Sequence, residues 1–226
     1  MEKLPHHTDW ALVLMILVAL QFVYLRLVFP RRFDALRNSV TNLRPLLSFY
    51  RPGRTHLDLF ILLRNLGFLG TAPLSLLLFF RLSKGETLMA SDWKLYLLLV
   101  AGMVFIMQMQ RLSLLGAGWI FQSLDAVHEQ LFAKSFILRW SALILLPLNL
   151  LTVFGPLNGF FMGYLLVIVL IACYLWAVFR SLNTKSLNAP LHLGYLFYYI
   201  CALEILPWLV AFNHWDDLRG WSAWTI

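Results

Sequence analysis

Long apolar runs separated by short polar stretches are the dominant pattern along this chain. A helix needs about 20 consecutive, mostly apolar residues to cross the hydrocarbon core of a bilayer. Six segments come near this length, and they are residues 10–29, 57–80, 95–110, 136–154, 160–179 and 193–213. The pattern therefore predicts an all-α fold, a polytopic transmembrane helical bundle of about six spans.

Composition supports lipid as the solvent for most of these runs. Hydrophobic residues make up 61% of the 226 residues and charged residues 13%, whereas a soluble domain carries about 45–50% and about 25%. No stretch is both long enough and polar enough to form a separate soluble domain. We therefore expect one integral membrane domain over residues 1–226.

The basic residues predict the orientation of the bundle. The stretch after the first span is rich in arginine, at Arg31, Arg32, Arg37, Arg44, Arg51 and Arg54. By the positive-inside rule this stretch is cytoplasmic, and alternation then places eleven Lys and Arg residues inside and five outside. Both termini are predicted to be outside. The net charge of +7 serves this topology and contact with anionic headgroups, so no nucleic-acid partner is expected.

A reporter fusion tests this topology directly. A reporter placed after Ile226 should read out as periplasmic, and a reporter within residues 31–56 as cytoplasmic, because of the basic asymmetry. Activity of paired alkaline phosphatase and fluorescent-protein fusions measures the side. A cytoplasmic C-terminus would contradict six spans and indicate five or seven.

The connection at residues 111–135 has two interpretations. Its first part is apolar, so the third span either extends to about Phe121 or this piece is re-entrant or interfacial. Its second part has the pattern of an amphipathic helix, with Asp125, His128 and Glu129 on the polar face. These residue types bind metals, but no second cluster completes a site, so a solvated face is expected and no metal or cofactor is predicted.

Glu204 is the residue that most requires an explanation, since it lies midway in the sixth apolar run. Arg64 lies seven residues into the second run and Glu204 eleven residues into the sixth, a difference in depth of about 6 Å. The two therefore suit a buried ion pair, with Asn65 and Asn149 as further hydrogen-bonding groups, and Arg139 lies shallower. A proton- or ion-coupling carboxylate, or a Glu204 that faces a partner protein, remain alternatives.

Three prolines interrupt predicted spans, namely Pro73, Pro147 and Pro207. Each removes a backbone hydrogen bond and is expected to kink its helix. Broken helices frame substrate sites in transporters when they recur in repeated halves, and the sequence shows no internal repeat. Gly159 and Gly163 form a small-xxx-small pair that permits close helix contact.

No enzyme motif accompanies these features. The chain has no GxSxG, HExxH, Walker A or dinucleotide fingerprint, and His56, His192 and His214 are isolated near predicted span ends. The sequence therefore predicts no catalytic residues.

Residues 197–207, Phe-Tyr-Tyr-Ile-Cys-Ala-Leu-Glu-Ile-Leu-Pro, resemble the YLCxLEILP signature of the DUF4271 family. Asn42-Leu43-Arg44-Pro45 and Arg64-Asn65 are also similar to family sequence. The resemblance implies a polytopic inner-membrane protein of Bacteroidota with no established function. It carries over Glu204 and Pro207 as matched positions without an activity.

Together these features favour an accessory or scaffold subunit of an envelope complex in the bacterial inner membrane. The expected partners are the lipid bilayer and a membrane or cytoplasmic protein. The alternative is a small secondary transporter or proton-coupled channel that uses Glu204.

Overall fold

Six helices make up the part of the chain that the structure describes. In this computed structural model the described residues are 9–38, 59–85, 88–89, 91–120, 124–155 and 159–182. The helices are α1 (Asp9–Val28), α2 (Pro30–Asn38), α3 (Leu59–Ser83), α4 (Asp92–Ile120), α5 (Leu124–Phe154) and α6 (Gly159–Leu182). Within these ranges there is no strand, so the predicted all-α class is confirmed.

Five of the six helices, all except α2, are long and apolar enough to cross a membrane. They correspond in order to the first five predicted spans. The sixth predicted span, residues 193–213, lies outside the described residues together with Glu204 and Pro207. The described chain is thus a bundle of membrane-length helices, and α2 is a short basic helix that follows α1.

Charged residues occur at the helix ends where the helix dipole favours them. Acidic residues lie in the first turns of α1 and α4, at Asp9 and Asp92. Basic residues lie in the last turns of α1, α3 and α6, at Arg26, Arg81 and Arg180. Carboxylates near N-termini and cations near C-termini stabilise the terminal turns, so these charges help to define where each span ends.

The region of residues 111–135 follows the first of its two interpretations, in which the third span extends, and its second part is helical as expected. It is helical on both sides of residues 121–123, because α4 continues to Ile120 and α5 already begins at Leu124. Helices of 29 and 31 residues are about 43–46 Å long, so they exceed an apolar core of about 30 Å. Arg111, Lys134 and Arg139 therefore lie within membrane-length helices, and the orientation argument rests mainly on the basic stretch after α1.

Helix α3 is the centre of the bundle. It packs against α1, α4, α5 and α6, and 61% of its apolar stretch is buried. Glycine permits the closest approaches, since a Cβ at Gly70 would lie 2.7 Å from Val18 Cγ2 on α1. A Cβ at Gly159 of α6 would lie 2.9 Å from Leu82 Cδ2, so one glycine of the predicted small-xxx-small pair does form a close contact between α6 and α3.

Candidate functional site

A side chain from α4 bonds the backbone carbonyl that Pro73 leaves without a donor in α3. Proline has no N–H, so the carbonyl of Leu69, four residues earlier, loses its helical donor. The hydroxyl of Tyr96 lies 3.3 Å from this carbonyl oxygen and 3.3 Å from that of Gly70. Helix α3 continues through Pro73 to Ser83. Tyr96 therefore satisfies the freed acceptor and ties α4 to the centre of the bundle.

A second polar contact near Pro73 joins α3 to α5. Asn149 is fully buried, and its Nδ2 donates to the carbonyl of Thr71 at 3.1 Å. The hydroxyl of Ser75 donates to Asn149 Oδ1 at 2.9 Å and also lies 3.0 Å from the carbonyl of Thr71. Both the Nδ2 and the Oδ1 atoms of the Asn149 amide are thereby hydrogen-bonded, as a buried polar group requires. The cluster holds α3 to α5 beside Pro147, through which α5 continues.

Arg64 is among the most buried side chains of the described bundle, with 1% of its surface exposed. Its guanidinium carbon lies 4.3 Å from the centre of the Phe136 ring on α5, a cation–π contact that gains strength in a desolvated site. The neighbouring Asn65 has a buried Oδ1 that accepts no hydrogen bond from the part of the chain that the structure describes. Because Glu204 lies outside the described residues, the Arg64–Glu204 ion pair stays a prediction.

Arg139 was predicted to lie shallower than Arg64 and Glu204. It instead lies well within helix α5. It is half-buried, and its Nε is shielded from solvent with no hydrogen-bond acceptor among the described residues. It lies within electrostatic range of Arg111 on α4, a charge of the same sign. Charges of the same sign on neighbouring helices repel each other, and a nearby anion relieves this repulsion.

A third polar contact joins α4, α5 and α6. Lys134 is 7% exposed; its Nζ lies 3.4 Å from the Tyr174 hydroxyl and 4.9 Å from the centre of that ring. Gln110 of α4 donates to the same hydroxyl at 3.5 Å. Tyr174 therefore brings together polar groups from two neighbouring helices.

Four cations of helices α3 to α6 lie at one level of the bundle, which we call the basic belt. Counted at 1.5 Å per residue from the ends predicted to be outside, its members lie about 28–32 Å away. They are Arg64, Arg111, Lys134 and Arg180. This level coincides with the predicted cytoplasmic boundary of an apolar core about 30 Å thick, and Arg139 lies about 8 Å deeper.

The opposite end of the bundle is fastened by one ion pair. Asp92 is 2% exposed and lies next to Arg81, which is 23% exposed. Arg81 donates through Nε to Asp92 Oδ2 at 3.1 Å and through Nη2 to Oδ1. The backbone N–H of Met89 donates to the same Oδ2 at 2.8 Å. The pair joins the last turn of α3 to the first turn of α4, and charge-assisted bonds of this bidentate kind are the strong ones.

Sequence reasoning named Arg64, Asn65, Arg139, Pro73 and Pro147, and all five lie within described helices. Arg64 contacts the ring of Phe136, which lies three residues before Arg139 on α5. The contacts around Pro73 instead involve hydroxyl groups that the sequence did not single out, namely those of Thr71, Ser75 and Tyr96. The sequence did carry one sign of these contacts, because the hydroxyl-bearing residues Thr71 and Ser75 lie two residues on either side of Pro73 within an apolar run. Among the described residues, no group of three or more His, Cys, Asp or Glu is placed to hold a metal.

These features define a class, a multi-pass helical membrane protein whose interior polar groups mainly join one helix to the next. Residues 11–213 match the family described as "Domain of unknown function (DUF4271)", and the chain belongs to this family. No curated protein and no solved structure matches the sequence. The family assignment covers all five described spans and most of the remaining chain.

Proposed function

We propose that this protein is an accessory or scaffold subunit of a complex in the bacterial inner membrane and has no catalytic activity of its own. The observation that carries the proposal is the surface of α4. Only 6% of its apolar stretch is buried, against 61% in α3. Within the described part of the chain, a helix that makes so few contacts with the other helices offers nearly its whole length to a neighbour in the membrane.

The outer half of α4 has the composition of a helix-packing surface. Leu98, Ala101, Gly102 and Phe105 follow the spacing of one helical stripe, and all four are exposed; we call them the α4 outer face. A Cβ at Gly102 would meet nothing within 4 Å. Small residues on an exposed face let a second helix approach closely, which drives association within lipid. We therefore assign the α4 outer face to a transmembrane helix of a partner protein.

The interior contacts support a static role. Tyr96 bonds the carbonyls beside Pro73, and Asn149 bonds both Ser75 and the carbonyl of Thr71. In a transporter, a broken helix exposes free backbone groups to its substrate. Here the backbone carbonyls beside Pro73 are bonded by side chains of neighbouring helices, and these bonds stiffen α3 where the proline weakens it.

Substitution of Gly102 by leucine tests the partner surface. The side chain would block a close helix approach, while the bundle itself has space for it and leucine favours the helix. We expect the fraction of protein in the native complex to fall about tenfold, equivalent to about 1.4 kcal/mol. Blue-native electrophoresis of membranes in mild detergent measures this fraction.

Gly116 provides the matched control. It is an exposed glycine of the same helix whose Cβ would also meet nothing within 4 Å. It lies about 21 Å further along α4, beyond the apolar core. Gly116→Leu should leave the complex intact. Equal loss in both variants, or a wild-type band that contains only this chain, would contradict the proposal.

The second candidate is a small secondary transporter or proton-coupled channel that uses Glu204. It is supported by Arg64, a cation that is 1% exposed on the central helix and that would attract a carboxylate at mid-membrane. Ligand-dependent thermal stabilisation of the isolated protein would support this candidate over the scaffold.

A further inference from the structure

We propose that Arg111 and Arg139 bind the phosphate of an anionic lipid headgroup in the leaflet predicted to be cytoplasmic. The proposal does not depend on the scaffold function. It begins with Arg139, whose shielded Nε has no hydrogen-bond acceptor among the residues that the structure describes. An arginine N–H that is removed from water without an acceptor costs free energy, and a phosphate oxygen is a well-matched acceptor.

The second observation is the charge beside it. Arg111 lies within electrostatic range of Arg139, on a helix that packs directly against α5. The nearest described carboxylate along α5 is Glu129, ten residues from Arg139, or about 15 Å. Two arginines on adjacent helices form a binding site for one anion, since each presents a planar fork of donors to a phosphate.

Depth selects a lipid as the source of this phosphate. Arg111 belongs to the basic belt at the predicted cytoplasmic boundary of the apolar core, and the long side chain of Arg139 reaches toward the same level. Basic sites between transmembrane helices on the cytoplasmic side are suited to anionic headgroups. A soluble anion would have to enter the apolar region, whereas the phosphate of a lipid already lies at its edge.

The surface beside Arg111 suits the rest of such a lipid. Met109 is 50% exposed and Leu112 is 62% exposed, and both flank Arg111 on α4. An acyl chain can therefore lie along α4 while its headgroup contacts the arginines. This inner half of α4 is separate from the α4 outer face, so lipid and partner helix can bind simultaneously.

The test is native mass spectrometry of the full-length chain in detergent with added phosphatidylglycerol. We expect wild-type protein to retain this lipid, and Arg111→Gln and Arg139→Gln each to weaken its apparent affinity about fivefold, as expected for one cation at a membrane surface. Phosphatidylcholine with the same chains should bind more weakly to the wild type. Arg139→Lys keeps the charge and should lose less affinity than Arg139→Gln.

Arg26→Gln is the matched control. Arg26 is an exposed cation in the last turn of α1, about 26 Å from the outer end of its helix, so the variant removes the same charge at nearly the same depth. It should bind phosphatidylglycerol as the wild type does. If Arg139→Gln fails to fold, Arg111→Gln decides, because Arg111 is exposed.

Two results would overturn the proposal. One is equal loss of phosphatidylglycerol in Arg111→Gln and Arg26→Gln, which would indicate a general effect of charge. The other is displacement of the lipid by millimolar inorganic phosphate, which would indicate a site for a soluble anion.

Discussion

Replacing Asp92 by alanine is expected to lower the free energy of unfolding by about 2–4 kcal/mol. The carboxylate is 2% exposed and accepts hydrogen bonds from Arg81 and from the backbone N–H of Met89. Its removal leaves the guanidinium without its counter-charge and a backbone donor without an acceptor. Such losses cost about 3–5 kcal/mol for a fully buried pair, and the partial exposure of Arg81 reduces this figure. Unfolding in mixed detergent micelles measures the change.

Asp9 is the matched control for Asp92, since it is the acidic residue in the first turn of α1 and is exposed. Asp9→Ala removes the same charge from a helix N-terminus and should cost about 0.3–1 kcal/mol. The Arg81→Ala Asp92→Ala double variant should be less unstable than the sum of the single variants, because no orphan charge remains. Additive costs would show that the two side chains do not stabilise each other.

Replacing Glu204 by alanine is expected to cost about 3–5 kcal/mol, provided that Glu204 is the counter-charge of Arg64. The reason lies in Arg64, which is 1% exposed on the central helix. A carboxylate counter-charge would stabilise a guanidinium at that position, whereas a lone carboxylate at mid-membrane would take up a proton. A double-mutant cycle with Arg64→Ala, read out by stability in detergent, measures the coupling between the two residues.

Glu204→Gln distinguishes the ion pair from a transport role. Loss of stability in this variant, with strong coupling to Arg64, supports a structural pair. Wild-type stability with loss of function would identify Glu204 as a proton or ion site and favour the transporter over the scaffold. Arg26→Ala, which removes an exposed cation near the end of α1, should leave stability within about 0.5 kcal/mol of the wild type.

The sequence by itself determined the class of protein. In lipid, the backbone must satisfy its hydrogen bonds within each spanning segment, so an apolar run of sufficient length has to be a helix. The runs that begin at Trp10, Leu57, Phe136 and Phe160 therefore indicated helices without any tertiary information. The end of the third helix could not be predicted in the same way. The polar residues Gln108, Gln110 and Arg111 are typical of a loop, but a helix also tolerates them near the membrane boundary.

Only the tertiary structure decided which polar groups meet. The freed carbonyl at Leu69 bonds Tyr96, which lies 27 residues away in sequence, and Asn149 bonds Thr71, which lies 78 residues away. Helix periodicity specifies the face on which a residue lies, but the neighbour of that face depends on how helices pack. In lipid that packing depends on close van der Waals fit and small residues, and the approach of α1 to Gly70 is one example. The exposure of α4 within the described bundle and the proximity of Arg111 to Arg139 depend on this packing, and for that reason neither was visible in the order of residues.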